Sequence, residues 1–441
     1  MRILLTIFCT FSVLLMQAQT ALKRLQFQGE QNVIDSPGDF AELSDGTIIL
    51  LWTSYHQPGM DTCFVNARKI PVKGGAGPIL HLDTFPIPKN TIYTIRPVVF
   101  PDNKSFGFAF ALPLGSLSAY QLCFDRFSIE GKPLVQRLRV DTLSYGAALF
   151  PSVAVNKNGN FVVAWEQVQN GVNAAMFRVF SNKNQPITAP VSADPCSACY
   201  KSSVQVDFRY GKIAMAWKKT DEIAALRITY RVFNEKGIPL CEATNADPKA
   251  NTGLVTFPRI RIVSKKSFAL VWNGRLYYPE EAEMNGIQDS AKMYLGFYGF
   301  DGKPQGDFMK VNTSSCKDLS SSEISVRKDS LYITWSGGSL NQPASIYAWK
   351  ISLKKKKASL EVVETFAKQG MYRTGTCRAT KAYRYFVFNN GKASGAAHDT
   401  TLGYAFTEKK PKAKKEKHRK EKGKKKKEEG KKEEPKKDGQ R

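Results

Sequence analysis
An aromatic residue closing a short apolar run recurs at Trp52, Phe110, Trp165, Trp217, Trp272, Trp335 and Phe388, at intervals of 58, 55, 52, 55, 63 and 53 residues. A period of this length, sustained along most of a chain, restricts the fold to an array of one supersecondary unit and leaves little room for a separate catalytic domain. The unit is clearest from Phe150 to Asp194, FPSVAVNKNGNFVVAWEQVQNGVNAAMFRVFSNKNQPITAPVSAD. It parses as a strand PSVAV, an Asn158-Gly159 turn, a second strand ending in Trp165, a third strand AAMFRVF, a turn and a fourth strand. The second strand, FVVAW, is apolar on both faces, as a strand pressed between two neighbouring sheets must be.

The third strand and its turn recur as FDRFSIEGKP (Phe124 to Pro133), YRVFNEKGIP (Tyr230 to Pro239) and FYGFDGKP (Phe297 to Pro304), with LRVDT, CEATNAD and DFMKVNT as fourth strands. Four antiparallel strands per repeat predict an all-β chain, a β-propeller of seven four-stranded blades. Repeats fall near 37–85, 96–142, 150–194, 202–247, 257–313, 322–366 and 375–406, within a propeller spanning 19–407. The last repeat lacks a fourth strand, while Gly29 to Asp35 (GEQNVID) resembles the fourth strand Gly306 to Asn312 (GDFMKVN). Residues 29–35 are therefore expected to complete the last blade and close the ring, which removes exposed sheet edges. The unit F-P-x-V-A-x-N-x-x-G-x-F-V-V-x-W, followed by F-x-x-x-x-x-x-P, resembles secreted bacterial-type propeller repeats over about residues 29–406. That resemblance implies a fold and an extracellular setting, and says almost nothing about a ligand.

Both ends lie outside the repeats. Residues 1–18 carry Arg2, the apolar run ILLTIFCTFSVLLM and then small polar residues, the layout of a signal peptide. No later segment is long and apolar enough for a transmembrane span, so a secreted, extracellular protein is expected. Residues 408–441 hold 18 Lys and Arg against 8 Asp and Glu with no aromatic or β-branched residue, which predicts a disordered basic tail. The whole chain has a formal charge of +26, and the body is basic even without the tail. Acidic polysaccharide, acidic matrix protein or a mineral surface are the expected partners, with intracellular nucleic acid disfavoured by the leader. Lys354, Lys355, Lys356 and Lys357 in the sixth repeat, and Lys414, Lys415, Lys424, Lys425, Lys426 and Lys427 in the tail, are the candidate polymer contacts.

Constellations with chemistry are sparse. The Asp boxes of sialidase-like propellers are missing, and no cluster of arginines with a paired acid and base is evident in the sequence. His56, His81, His398 and His418 form no closely spaced metal pair, and the Asn156 to Asn160 turn lacks a carboxylate, so neither metal nor other cofactor is expected. Seven cysteines follow the leader: Cys63, Cys123, Cys196, Cys199, Cys241, Cys316 and Cys377. Export favours oxidation of some of them, and the lone C-x-x-C at Cys196 and Cys199 reads as a structural disulfide, with Cys241 the expected partner of that loop. Asn103 and Asn312 open N-x-S sequons that would accept glycans in a eukaryotic host. The pattern favours a non-enzymatic extracellular binding or matrix protein, the propeller serving as scaffold and the tail as polymer anchor. Two alternatives stay open: a carbohydrate-active hydrolase or lyase working in the central mouth of the ring, and a bacterial surface adhesin.

Overall fold
Short runs of β-branched and aromatic residues between Asn, Asp and Gly turns give antiparallel ladders throughout, and no α-helix among the described residues. The structure, a computed structural model, describes residues 23–26, 33–35, 39–56, 61–71, 75–86, 95–114, 119–144, 146–169, 171–196, 199–220, 226–247, 255–274, 292–311, 318–319, 322–327, 329–338, 343–354, 358–369, 373–379, 383–391 and 400–408. The chain divides into two compact units, Met1–Glu408 and Lys409–Arg441. Residues 1–22 and 409–441, which include the expected leader and nearly all of the expected basic tail, lie outside the described residues.

The described strands form seven blades. In the third, Ala147–Val155, Phe161–Gln169, Val172–Phe180 and Val191–Ser192 run from innermost to outermost. The fourth repeats this with Tyr200–Arg209, Lys212–Thr220, Leu226–Asn234 and Thr244–Asn245. The fifth uses Val255–Ile262, Ser267–Gly274, Lys292–Gly299 and Met309–Val311. In the second blade the order is Val98–Val99, Ser105–Pro113, Tyr120–Ser128 and Pro133–Arg139. The first and sixth blades have their innermost strand in two pieces, Val33–Asp35 with Asp39–Glu42 and Asp318–Leu319 with Glu323–Arg327. Innermost strands touch their neighbours in cyclic order through all seven blades, including the seventh against the first, so the ring is closed.

Closure does not come from Val33–Asp35, the described part of the strand expected at residues 29–35. Lys23–Gln26 pairs antiparallel with Thr400–Glu408, Lys23 opposite Phe406, and completes a seventh sheet with Tyr383–Gly391 and Arg373–Ala379. Val33–Asp35 belongs to the first blade, with Val33 opposite His56. Chain length explains the difference. A strand ending at Asp35 on the outer edge would need residues 36–38 fully extended and straight to cross three strand spacings, about 14 Å, to the ring centre. Departure from Gln26 leaves ample chain.

Each apolar cluster lies between consecutive blades. Phe177, Val204, Met215 and Trp217 join the third blade to the fourth, and Tyr230, Phe268, Trp272 and Tyr298 join the fourth to the fifth. This is why Phe161 to Trp165 is buried at every position: both faces of the second strand meet another sheet. The buried phenols are satisfied across the same seam, Tyr298 donating to the Ala246 carbonyl at 2.8 Å and Tyr230 to that of Gly302 at 2.8 Å. In the Asn156 to Asn160 turn only Gly159 has positive φ, at 82°. Asn156 builds this turn by accepting the N–H groups of Asn158 (2.9 Å) and Asn160 (3.1 Å), so its amide oxygen is already used.

Candidate functional site
The repeated aromatic fixes a register that the sequence alone conceals. The residue before it on the second strand faces one residue of the innermost strand: Leu51 faces Asp39, Ala164 faces Ser152, Ala216 faces Gln205, Val271 faces Arg259 and Thr334 faces Glu323. In the second blade Arg96 lies two residues before Val98, which faces Gly107, and so takes the same level. One pleat along stand Ala41, Val98, Ala154, Asp207, Arg261 and Ser325. In the seventh blade, Thr376 and Arg378 hold these two register positions. Because strand side chains alternate, both levels share one face of each innermost strand, and from that face Arg96, Ser152, Gln205, Asp207, Arg259, Arg261 and Glu323 line a central cavity.

A central cavity of about 260 Å³ is lined by Arg96, Arg209, Arg259, Arg261, Glu42, Asp207 and Glu323, with Ser152, Gln205 and small apolar residues between them. Its charges form two linked sets. Glu323 Oε1 accepts from Arg259 Nε at 2.8 Å and from Arg96 Nη1 at 2.9 Å, and Arg96 Nε lies 3.8 Å from Asp39 Oδ2. Asp207 meets Arg261 Nη1 at 2.9 Å and Arg209 Nε at 3.6 Å, and it accepts the Ile262 backbone N–H at 2.7 Å. Three carboxylates thus share four guanidinium groups.

Burial opposes every one of these charges, and the partners decide each outcome. Arg259 is lowered to about 10 by its burial and by the neighbouring Arg96 charge, with Glu323 pulling the other way. For Arg96, Glu323 and Asp39 outweigh burial and raise the pKa. Burial would raise Asp207, but Arg261, Arg209 and the Ile262 N–H hold it below the usual carboxylate range. Arg261 Nε is buried without a hydrogen-bond partner, an open donor in an otherwise paired set.

The innermost strands of the third, fourth, fifth and seventh blades bulge at one place, just before the first of these levels: between Leu149 and Ser152, Ser202 and Gln205, Thr256 and Arg259, and Thr374 and Thr376. Such a bulge re-aims the strand where it enters the channel. Beside the bulge of the fourth blade, the Ser203 backbone N–H donates to buried Glu166, whose carboxyl is pushed up to about 7 by burial.

The structure places the described sequence candidates outside the cavity lining. Cys196 bonds to Cys199, and Lys201, 1 % exposed, donates from Nζ to the carbonyl oxygens of both. Cys241 is unbonded, correcting the expected link to that loop: its sulfur accepts the Val232 N–H at 3.4 Å and packs against Gly302 of the next blade. Cys63 and Cys123 are free thiols, each pushed up to about 12 by burial. Asn103 turns through positive φ, accepting the Ser44 N–H at 2.8 Å and donating to the Pro101 carbonyl at 3.1 Å. His81 Nδ1 lies 2.6 Å from Asn66 Oδ1, an ordinary side-chain pair. Lys354 is exposed and pairs with Asp329 at 2.8 Å. Cys316, Asn312, Lys355 to Lys357 and the tail lysines lie outside the described residues, as do the side chains of Cys377 and His56. Among the described residues no three His, Cys, Asp or Glu side chains gather as a metal site.

No family model matches this sequence, and no curated protein matches it. Solved structures do. The polysaccharide lyase Uly1 aligns at a TM-score of 0.51 and 9% identity over 88% of this chain and 89% of its own. The fold is a β-propeller. The β-propeller domain of the trilobed protease from Pyrococcus furiosus follows at 0.47 and 10% identity, covering 84% of this chain and 95% of that one. The α-L-arabinofuranosidase Arb93A from Fusarium graminearum aligns at 0.45 and 8% over 89% and 98%. At such identities the likeness is one of fold.

Proposed function
We propose that the protein is an exported, carbohydrate-active propeller that takes an anionic saccharide in its central cavity. The observation that carries this is the gathering of Arg96, Arg259, Asp39 and Glu323 at one level of the channel, with Arg261 and Asp207 on the next. Guanidinium groups bind carboxylate or sulfate through paired N–H donors, and carboxylates beside them are the groups that glycoside hydrolysis uses as acid and base. No Tyr, His or Lys lines the cavity among the described residues, which favours hydrolysis over an elimination needing such a base. The fold shared with a polysaccharide lyase agrees with the substrate class. Residues 1–18 direct export in this reading, and 408–441 add salt-sensitive attraction to acidic polymers.

One observation supports a non-enzymatic scaffold instead: the cavity charges pair with one another, as a structural network does. Incubation with polygalacturonate and with heparin, assayed for reducing ends and for unsaturated uronate, separates the readings. Reducing ends without unsaturated product, lost on the order of 100-fold in Glu323→Gln with binding retained, support hydrolysis. Binding without product of either kind leaves the matrix reading, and no binding in the cavity refutes the proposal.

A further inference from the structure
Phe150 has no place in the fold's own economy. At 66% exposure it is the most exposed large apolar side chain among the described residues, whereas nearby Phe161 and Phe177 are fully buried. Its φ of 51° lies in the left-handed region, where a side chain is strained, and Pro151 follows it, which further disfavours any conformation but an extended one. The strain belongs to the bulge, because Ser203 has φ 59° at the matching place in the next blade. Glycine would suit this backbone better, and a polar residue would suit this exposure better. Neither packing nor backbone accounts for the ring.

Position does. Phe150 stands between Leu149 and Ser152, two residues before the level at which the cavity begins. Phe257 and Pro258 occupy the same bulge in the fifth blade, and Tyr200, half exposed, opens the innermost strand of the fourth. The described cavity lining contains no aromatic residue, so it offers charge but no flat apolar face. A sugar ring has both kinds of surface: its acidic substituent pairs with arginine, and its C–H face packs on an aromatic ring.

We propose that Phe150 is the stacking platform at the channel mouth, holding one unit of an anionic oligosaccharide while a neighbouring unit occupies the arginine-lined cavity. This rests on the cavity reading above and adds a second subsite to it. The platform then senses chain length, and the cavity senses charge.

The test is calorimetric binding of oligogalacturonates from monomer to hexamer and of heparin oligosaccharides, for wild type, Phe150→Gly, Phe150→Trp and Arg261→Gln, with denaturation midpoints for each. Phe150→Gly is expected to weaken the longer oligomers about tenfold and leave the monomer unchanged. Its midpoint stays the same or rises, because glycine relieves the positive φ, and Phe150→Trp retains length-dependent binding. Equal affinities of Phe150→Gly and wild type at every length overturn the platform, as does a midpoint that falls together with affinity. If Arg261→Gln binds as wild type does, or wild type binds none of the probes, the cavity reading fails and the platform with it. If Arg261→Gln loses binding while Phe150→Gly does not, the platform alone fails.

Discussion

Replacing Asp125 by asparagine tests the electrostatics of the seam between the first and second blades. Asp125 is fully buried, and its Oδ1 accepts the Arg137 backbone N–H at 2.6 Å while Oδ2 has no donor. Asp83 is the neighbouring carboxylate, joined to Arg137 Nη2 at 2.9 Å. Burial pushes the Asp125 carboxyl up to about 7; the Arg137 N–H resists, and the Asp83 charge adds to the rise. The folded chain therefore holds a proton that the unfolded chain releases near pH 4, so stability falls as pH rises through that window and levels off above about 7. Each pH unit in the window costs about 1.4 kcal/mol, which makes the loss between pH 5 and pH 8 about 3 kcal/mol. Asparagine carries its hydrogens at every pH and can donate to Asp83 where the proton did. Urea unfolding at pH 5, 6, 7 and 8 should show the stability advantage of Asp125→Asn over wild type widening by about 3 kcal/mol. The Cys63 and Cys123 thiols nearby stay neutral across this range, so they do not mask the effect. A constant advantage, or a variant weaker at pH 8 than at pH 5 relative to wild type, refutes the argument from the raised Asp125 pKa.

Three further outcomes follow from the fold. Glu323→Ala leaves the Arg259 and Arg96 guanidinium groups together in the channel, and equilibrium unfolding should register a loss of about 3–5 kcal/mol, with Glu323→Gln losing less. Deleting residues 19–26 removes the strand paired with Thr400–Glu408, so the denaturation midpoint should drop markedly; an unchanged midpoint would mean that the ring does not depend on that strand. Non-reducing peptide mapping should recover Cys196 linked to Cys199, with Cys63, Cys123 and Cys241 alkylated once the chain is unfolded, and a linked Cys241 peptide would contradict the assigned pairing.

The blade pattern was readable because packing between two sheets imposes the same demand in every repeat. Trp165, Trp217, Trp272 and Trp335 each fill a buried seam, so the residue type recurs and announces the period. The channel level imposes no such demand. Asp39, Arg96, Ser152, Gln205, Arg259 and Glu323 share a position and have little chemistry in common, so no motif marks them. Counting back from each aromatic through the hairpin and its bulge would have found them, but the bulge adds one residue that sequence spacing does not reveal. The closing strand was misplaced for a related reason: VID fits any short ladder, and only the distance left to travel separates the outer edge of the seventh blade from the inner edge of the first. Nothing in the cysteine spacing shows that the Cys241 thiol faces the turn of the following blade, beside Gly302.

The seventh blade unites strands from the two extremes of the folded unit, Lys23 against Phe406. Synthesis delivers these partners at opposite times. The first six blades can take shape in order as the chain emerges, each seam sealed by the arrival of the next, while the opening strand waits for almost the entire chain to follow it. The last ladder is also the most non-local strand pairing among the described residues, and such contacts form slowly because the loop they close is long. Until then the outer edge of Thr400–Glu408 lacks the strand that covers it. The final pairing is thus the event that completes the seventh blade and closes the ring.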